Sequence, residues 1–330
     1  MRLYLGCLES SRLQHCRIFG DQEDGLVDLN TAYAAYQVYA RGEPAHAYEL
    51  ADVYFPSTIS ALLERGNASL QALAELSDFL ARENRKLLRG PSGERIFYNP
   101  NEVRILPPIT SPEKTLIPGF SDQVEDPGVK IRSRMPTAFF KLPSTFALPG
   151  EPIKCPEFSR ELDAGACLGV VIGKAGRRIP PERAWEHVGG CLLLLDITAR
   201  DISRRESLTR NTLLGKNFPS STSLGPALLL GASREAVMEL EVKLAVNGEV
   251  RQSFKLEDLL LSVEEVISHW STLELSPGDI IALGPGLALK SSPPQVPAAI
   301  EPGSAIRCLC PEIGELNHSV INEPKEGRVS

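Results

Sequence analysis

The sequence predicts an α+β fold in two parts, a small α+β module over residues 1 to about 106 and a larger β-rich domain over 107–330. Three observations carry this reading. The first part contains apolar residues at helical spacing, a proline-dense stretch follows it, and alternating β-like runs dominate what comes after.

In the first part, short strands are expected at Arg17 to Phe19 and Gly25 to Asp28, ahead of helices. A cap-like Asn67 is followed by Leu70, Leu73, Leu76 and Leu80, the spacing of one apolar helix face, which should pack on those strands. The stretch from Ile105 to Gly119 carries Pro107, Pro108, Pro112 and Pro118. Proline fixes φ and removes a donor, so no helix continues there and the boundary is placed in it. Strands are expected at Leu168 to Ile172, Cys191 to Leu195, Ala227 to Leu230, Leu240 to Val246 and Asp279 to Leu283. Leu240, Val242, Leu244 and Val246 alternate with polar neighbours, and the pattern resumes after Asn247-Gly248 with Val250, Gln252 and Phe254. Asn-Gly supplies the two positive φ angles of a type I′ turn, which predicts a hairpin with one face buried. Helices are expected at Glu182 to His187, after Pro180 and Pro181, and at Val263 to Trp270.

With 330 residues, 42% hydrophobic and 23% charged, the chain can bury a sizeable core. The net charge is −7 and the 35 Lys and Arg are scattered, so no nucleic-acid footprint is present. No apolar run reaches the length of a signal peptide or a bilayer span, so no membrane association is expected and the chain is assigned to the cytoplasm. The seven cysteines (Cys7, Cys16, Cys155, Cys167, Cys191, Cys308, Cys310) are odd in number and lack paired spacing, which points to reduced thiols. In a strand, Cys308 and Cys310 share one face, and no further ligands make a zinc site of them.

Several ordered segments resemble the fumarylacetoacetate hydrolase superfamily. They are Pro136 to Leu142, Leu148 to Ile153, Leu168 to Lys174, His187 to Asp201, Gly215 to Phe218, Leu224 to Pro226, Val246 to Gln252 and Pro277 to Ile281. Each segment is common, but their shared order is specific. The resemblance covers roughly residues 107 to 320, and the leading module also looks like the one that precedes the catalytic domain in many members. It implies a mixed β-roll catalytic domain, a homodimer, and action on 2-oxo acids or β-diketones.

The family binds Mg²⁺, Mn²⁺ or Ca²⁺ through a Glu-x-Glu pair on one strand and an Asp on another, because hard cations need anionic oxygens. Asp196 matches that Asp, but the Glu positions fall on Gly165 and Cys167. Mg²⁺ or Mn²⁺ is therefore not expected, and no other cofactor is. Two alternatives stay open: Asp163 swings in as a substitute ligand, or Cys167 and Asp196 hold a softer ion such as Zn²⁺. The family's lid histidine is also missing. The matching stretch Gly119 to Asp126 places Glu125 at the histidine position and Gly128 at that of a following Glu. Glu125 is either a base with its pKa raised by burial or a solvated carboxylate. The histidines present, His15, His46, His187, His269 and His318, lie outside this stretch.

Lys216, in Gly-Lys-Asn-Phe, matches the family lysine over the substrate carboxylate or oxyanion, where a fixed cation stabilises developing charge. Arg200, Lys141 and Gln252 stand at matched positions as substrate contacts, and Arg200 is equally read as a structural partner of Asp196 or Asp201. Leu283-Gly284-Pro285-Gly286 replaces a hydroxyl-bearing family loop. The resemblance thus implies an enzyme with rewritten, metal-independent chemistry on a small anionic 2-oxo acid or β-dicarbonyl, with Lys216, Glu125 and Asp196 as catalytic residues. Decarboxylation, dehydration, tautomerisation, cyclisation and C–C hydrolysis all fit an enolate route. The competing expectations are a non-catalytic ligand-binding or scaffold protein and an orthodox metal-dependent hydrolase.

Overall fold

The computed structural model describes residues 1–8, 15–22, 25–84, 87–119, 137–209, 211–284 and 299–324, and the backbone of 124–126 and 129–131. It opens with β1 (Arg2–Leu8), β2 (Arg17–Gln22), β3 (Gly25–Asp28), α1 (Leu29–Tyr36), α2 (Ala47–Tyr54), α3 (Ile59–Glu64), α4 (Asn67–Arg82), β4 (Phe97–Tyr98) and β5 (Val103–Leu106). Then come β6 (Thr115–Gly119), β7 (Val124–Asp126), β8 (Val129–Ile131), β9 (Thr137–Phe140), β10 (Phe146–Ala147), β11 (Ile153–Cys155), β12 (Leu162–Ile172) and β13 (Val188–Ala199). The chain continues through α5 (Arg200–Ser207), β14 (Thr222–Leu230), α6 (Arg234–Met238), β15 (Glu241–Val246), β16 (Glu249–Lys255), α7 (Val263–Trp270), β17 (Ile280–Leu283), β18 (Ala305–Cys310) and β19 (Gly314–Asn322).

Local chemistry explains the helix ends. Buried Asp28 caps α1, accepting from the Thr31 amide at 3.3 Å and the Thr31 hydroxyl at 2.9 Å. In α4 the expected Asn67 cap is the first helical residue instead, and Gly66 at φ 57 holds the capping position. The apolar face also differs by one residue from the expected one. Leu73, Leu76, Phe79 and Leu80 are buried, but Leu70 is 42% exposed. Ser69 takes the inward place in that first turn, its hydroxyl donating to the Tyr54 carbonyl at 2.9 Å.

The main sheet runs β4-β3-β2-β1-β14-β13-β12-β17-β6-β9, with β5 added on β1 and β10 on β14. Its leading strands join the later ones through the antiparallel pair β1/β14, in which Leu3 opposes Leu228. A second sheet, β11-β19-β18-β15-β16, packs on one face of β12 and β13. Leu162, Ala164, Ala166, Leu168, Val170 and Ile172 point into that layer together with Val242, Leu244, Cys308 and Cys310. The helices of the first part cover the other face. Asn247 and Gly248, at φ 52 and 83, make the expected hairpin turn. Burial on both faces accounts for the near-continuous apolar runs of β12 and β13. The proline-flanked helix read at Glu182 to His187 is a 3₁₀ helix, Pro181–His187. No helix among the described residues is long and apolar enough to cross a membrane.

Candidate active site

On the helix-covered face of β12 and β13, the apolar side chains of Cys167, Leu192 and Leu194 give way at one end to polar ones. There Gly165 opposes Asp196 and Asp163 opposes Thr198, while Thr222 on β14 opposes Asp196 from the other side. The two-residue period of a strand puts Asp163, Gly165 and Cys167 on this same face. A Cβ on Gly165 would have only the Asp196 carbonyl oxygen, 3.8 Å away, within contact distance among the described residues. Among the described residues there is thus room for a side chain at position 165, the first of the two positions at which the resemblance implies a glutamate.

Asp196 is held between two ammonium groups. Lys216 Nζ donates to Oδ2 at 2.6 Å and to the Thr198 hydroxyl at 2.7 Å, while Lys141 Nζ lies 3.0 Å from Oδ1. The second contact is an ion pair without good hydrogen-bond alignment, and Oδ1 has no other partner among the described residues. Lys141 also donates to the carbonyls of Lys216 and Ile197 and to the Ser221 hydroxyl. All three charged groups are buried, at 6% exposure for Asp196, 8% for Lys216 and 1% for Lys141. Burial works to raise the Asp196 pKa, but the two lysines outweigh it and hold the carboxyl below its ordinary range. Burial pulls Lys141 down to about 8 against the opposing pull of Asp196. The face of Phe139 lies 4.5 Å from Lys216 Nζ, a cation–π contact that adds to the fixation of the ammonium.

The local sequence explains how the lysine is presented. Gly215 sits against α5, where a Cβ would come within 2.7 Å of the Ser203 nitrogen. Its carbonyl accepts from the Ala199 amide at 2.9 Å. Asn217 ties this segment to the one bearing Lys141: its amide donates to the Phe140 carbonyl at 3.0 Å and its oxygen accepts from the Leu142 amide at 2.8 Å. Phe218 is buried in the core. Gly-Lys-Asn-Phe thus packs, charges, ties and anchors in successive positions.

The other expected site residues are placed as follows. Lys141, expected at the substrate, lies behind Asp196 with its donors engaged by protein oxygens. Arg200 pairs with neither Asp196 nor Asp201: its Nε and a terminal nitrogen lie 2.7 and 2.6 Å from Asp163 Oδ2, and its side chain is half exposed. Asp201 instead accepts from the Ser159 hydroxyl at 2.6 Å and from backbone amides. Gln252 accepts from the Ala166 amide at 2.8 Å, capping the edge of β12 beyond its pairing with β17. Glu125 lies in β7 opposite Lys130, and its side chain falls outside the described residues, as do Pro285 and Gly286. Gly284 is described, and a Cβ there would stand 2.7 Å from Cys167 Sγ. Two further residues at the site, Thr198 and Phe139, are not among those expected from the sequence. Thr198, two residues beyond Asp196 on a strand, could have been found from the strand period.

The donor set does not fit a hard divalent cation. Gly165 offers no side-chain atom, and burial, with Asp196 next, pushes the Cys167 thiol up to about 12, so it is protonated at neutral pH. Both Asp196 oxygens face ammonium groups, and Asp163 is engaged by Arg200 and by the Ala164 amide at 2.8 Å. Among the described residues no cluster of three or more His, Cys, Asp or Glu side chains could hold a metal.

Comparison with known proteins matches the family model for the fumarylacetoacetate (FAA) hydrolase C-terminal domain to residues 120–321. A mitochondrial oxaloacetate tautomerase of Xenopus laevis is 30% identical over 276 residues, covering 82% of this chain and 80% of the relative. The oxaloacetate tautomerase YisK of Bacillus subtilis is 31% identical over 264 residues, covering 76% and 85%. Among solved structures, a fumarylacetoacetate hydrolase from Exiguobacterium antarcticum has a TM-score of 0.68 at 21% identity, over 98% of this chain and 100% of its own. A maleylpyruvate hydrolase from Sphingobium, solved with manganese(II) and pyruvate, has a TM-score of 0.66 at 20% identity with the same coverage. Fold, ordered motifs and relatives agree: the chain belongs to the fumarylacetoacetate hydrolase family.

Proposed function

We propose that this protein is a metal-independent enzyme that interconverts the keto and enol forms of a small anionic 2-oxo acid, with oxaloacetate the first substrate to test. The observation that supports it is the buried Lys141–Asp196–Lys216 cluster, which carries a net positive charge without an added ion. Of the three Lys216 donors, Asp196 and Thr198 take two; no described residue accepts the third as a hydrogen bond. That donor meets the 2-oxo oxygen as it gains negative charge on enolisation. A charged hydrogen bond of this kind contributes about 1.5–3 kcal/mol, and more to a developing enolate than to a neutral ketone. Lys141 balances charge from behind, and Arg200, half exposed on the same face, supports an anionic group. The proton that leaves or joins carbon is assigned to Glu125. The enzyme acts in this reading as a cytoplasmic homodimer.

The relatives named oxaloacetate tautomerase support the reaction class. The test is the decay of enol-oxaloacetate absorbance with protein treated with EDTA and desalted. Catalysis should persist in EDTA and fall in Lys216→Met. Activity that appears only with Mg²⁺ or Mn²⁺ would sink the metal-independent reading, and no activity under either condition would leave ligand binding as the function.

A further inference from the structure

We propose that Glu206 is the positioning residue for Lys216, acting through the three backbone amides that precede the lysine. This rests on the role given above to Lys216 and goes beyond it. Glu206 lies near the C-terminal end of α5, outside the cluster that binds charge. Its carboxylate turns to the adjoining loop and accepts from three consecutive amides: Leu214 at 2.7 Å on Oε1, and Leu213 at 3.1 Å and Gly215 at 3.0 Å on Oε2. Three donors on one carboxylate fix both the position and the orientation of that short run of backbone, because each charged bond is directional. Lys216 is the next residue, and its own amide donates to the Leu213 carbonyl at 3.1 Å, closing the turn.

The loop needs such a tie. Leu213 and Leu214 are 60% and 45% exposed, so apolar packing of their side chains does little to hold it. Gly215 fixes how closely the loop approaches Ser203 of α5, and Asn217 fixes its far side to the Phe140–Leu142 segment. Between those two anchors, Glu206 sets the backbone from which the Lys216 side chain reaches Asp196 and Thr198. Partial burial works to raise the Glu206 pKa, but the three amides outweigh it and hold the carboxyl below its usual range. It therefore stays an anionic acceptor throughout the neutral range. Electrostatic catalysis depends on the donor being in place before charge develops, so a shift of the ammonium by a fraction of an ångström weakens the reaction more than it weakens the fold.

The test is a double-mutant cycle on the full chain. Glu206→Gln and Glu206→Ala are made in the natural sequence and in Lys216→Met, and kcat, KM, oxalate affinity in EDTA and thermal unfolding are compared. The expected result is that Glu206→Ala lowers kcat by ~10-fold or more with a smaller change in KM, that Gln, which keeps one acceptor oxygen, recovers part of it, and that neither change weakens oxalate binding further once Lys216 is Met. Equal losses in both backgrounds, or losses that track the melting temperature, would make Glu206 a general structural residue and overturn the proposal. If Lys216→Met leaves kcat and oxalate binding unchanged, the role of Lys216 itself fails. If Lys216→Met is impaired but Glu206→Gln and Glu206→Ala are not, only the positioning role fails. Should the alanine variant not fold, the near-isosteric glutamine variant carries the same comparison.

Discussion

The ammonium of Lys141 donates to the main-chain carbonyl of Lys216, the residue whose own ammonium takes the other oxygen of Asp196. One lysine therefore anchors the backbone of the other, and both depend on a single carboxylate.

Asp196→Asn should be strongly destabilising, because it leaves two buried ammonium groups facing a neutral amide. Removing one partner of a buried pair costs about 3–5 kcal/mol. Adding Lys141→Met to Asp196→Asn should recover part of that loss, since the fully buried ammonium is removed with its counter-charge. Urea unfolding of the two single variants and the double variant measures this, and strict additivity of the losses would argue against the coupling.

Lys216→Met should weaken oxalate or pyruvate binding by ~10-fold or more, the lower end of what a charged hydrogen bond contributes. Binding to the natural sequence should be unaffected by EDTA and should decline with salt. Calorimetry reads both, and an unchanged affinity in the variant would reassign Lys216 to structure.

His318 should make the fold acid-sensitive. Its imidazole is buried, with Nδ1 2.6 Å from the Glu151 carbonyl and Nε2 2.9 Å from the Ser223 hydroxyl. Burial lowers its pKa, with the Glu151 carbonyl opposing. The folded state thus binds fewer protons than the unfolded one below the ordinary value of 6.5, so the stabilisation is complete above that pH and is lost as pH falls through the depressed value. Denaturation midpoints from pH 7.5 downward should fall more steeply for the natural sequence than for His318→Gln. Parallel curves would show that other groups set the acid limit.

Cys7 and Cys16 should join on mild oxidation. Their sulfurs are 3.8 Å apart, and they continue the register in which Gly6 opposes Arg17. Facing residues on paired strands have the Cα separation a disulfide needs. Dilute hydrogen peroxide, reduced to water, should remove two hydrogens from each chain and link these two residues. Burial and the bond to Cys16 raise the Cys7 pKa, so the reaction should be slow at neutral pH and faster in mild alkali. Peptide mapping checks the link, and oxidation that leaves both thiols intact would contradict the prediction.

Much of this arrangement is legible in the sequence because it is local. The Asn247-Gly248 hairpin follows from a dipeptide and an alternation, and Asp196 with Lys216 follows from ordered family motifs. The rest depends on contacts between residues far apart in the chain. Arg200 could be given Asp196 or Asp201 by proximity in sequence, whereas strand register carries it to Asp163 on β12. Lys141 stands at a motif position expected to touch substrate, yet its side chain is buried against Asp196 and three further protein oxygens that its neighbours in sequence do not reveal. Glu206 leaves no sequence signature, because its acceptors' partners are backbone amides, which every residue but proline supplies.

The pairing of β1 with β14 has a practical meaning for anyone who wishes to produce the family-matched region by itself. Cutting the chain near residue 106 would strip β14 of the partner that faces Leu228 and Leu229, and would uncover Leu224, Leu228 and Leu230, which pack among the side chains of the leading module. An apolar strand with unpaired amides and carbonyls is a template for other chains. Such a fragment is expected to collect in inclusion bodies or as soluble aggregates, and co-expressing residues 1–106 as a separate polypeptide should rescue it by restoring the missing strand.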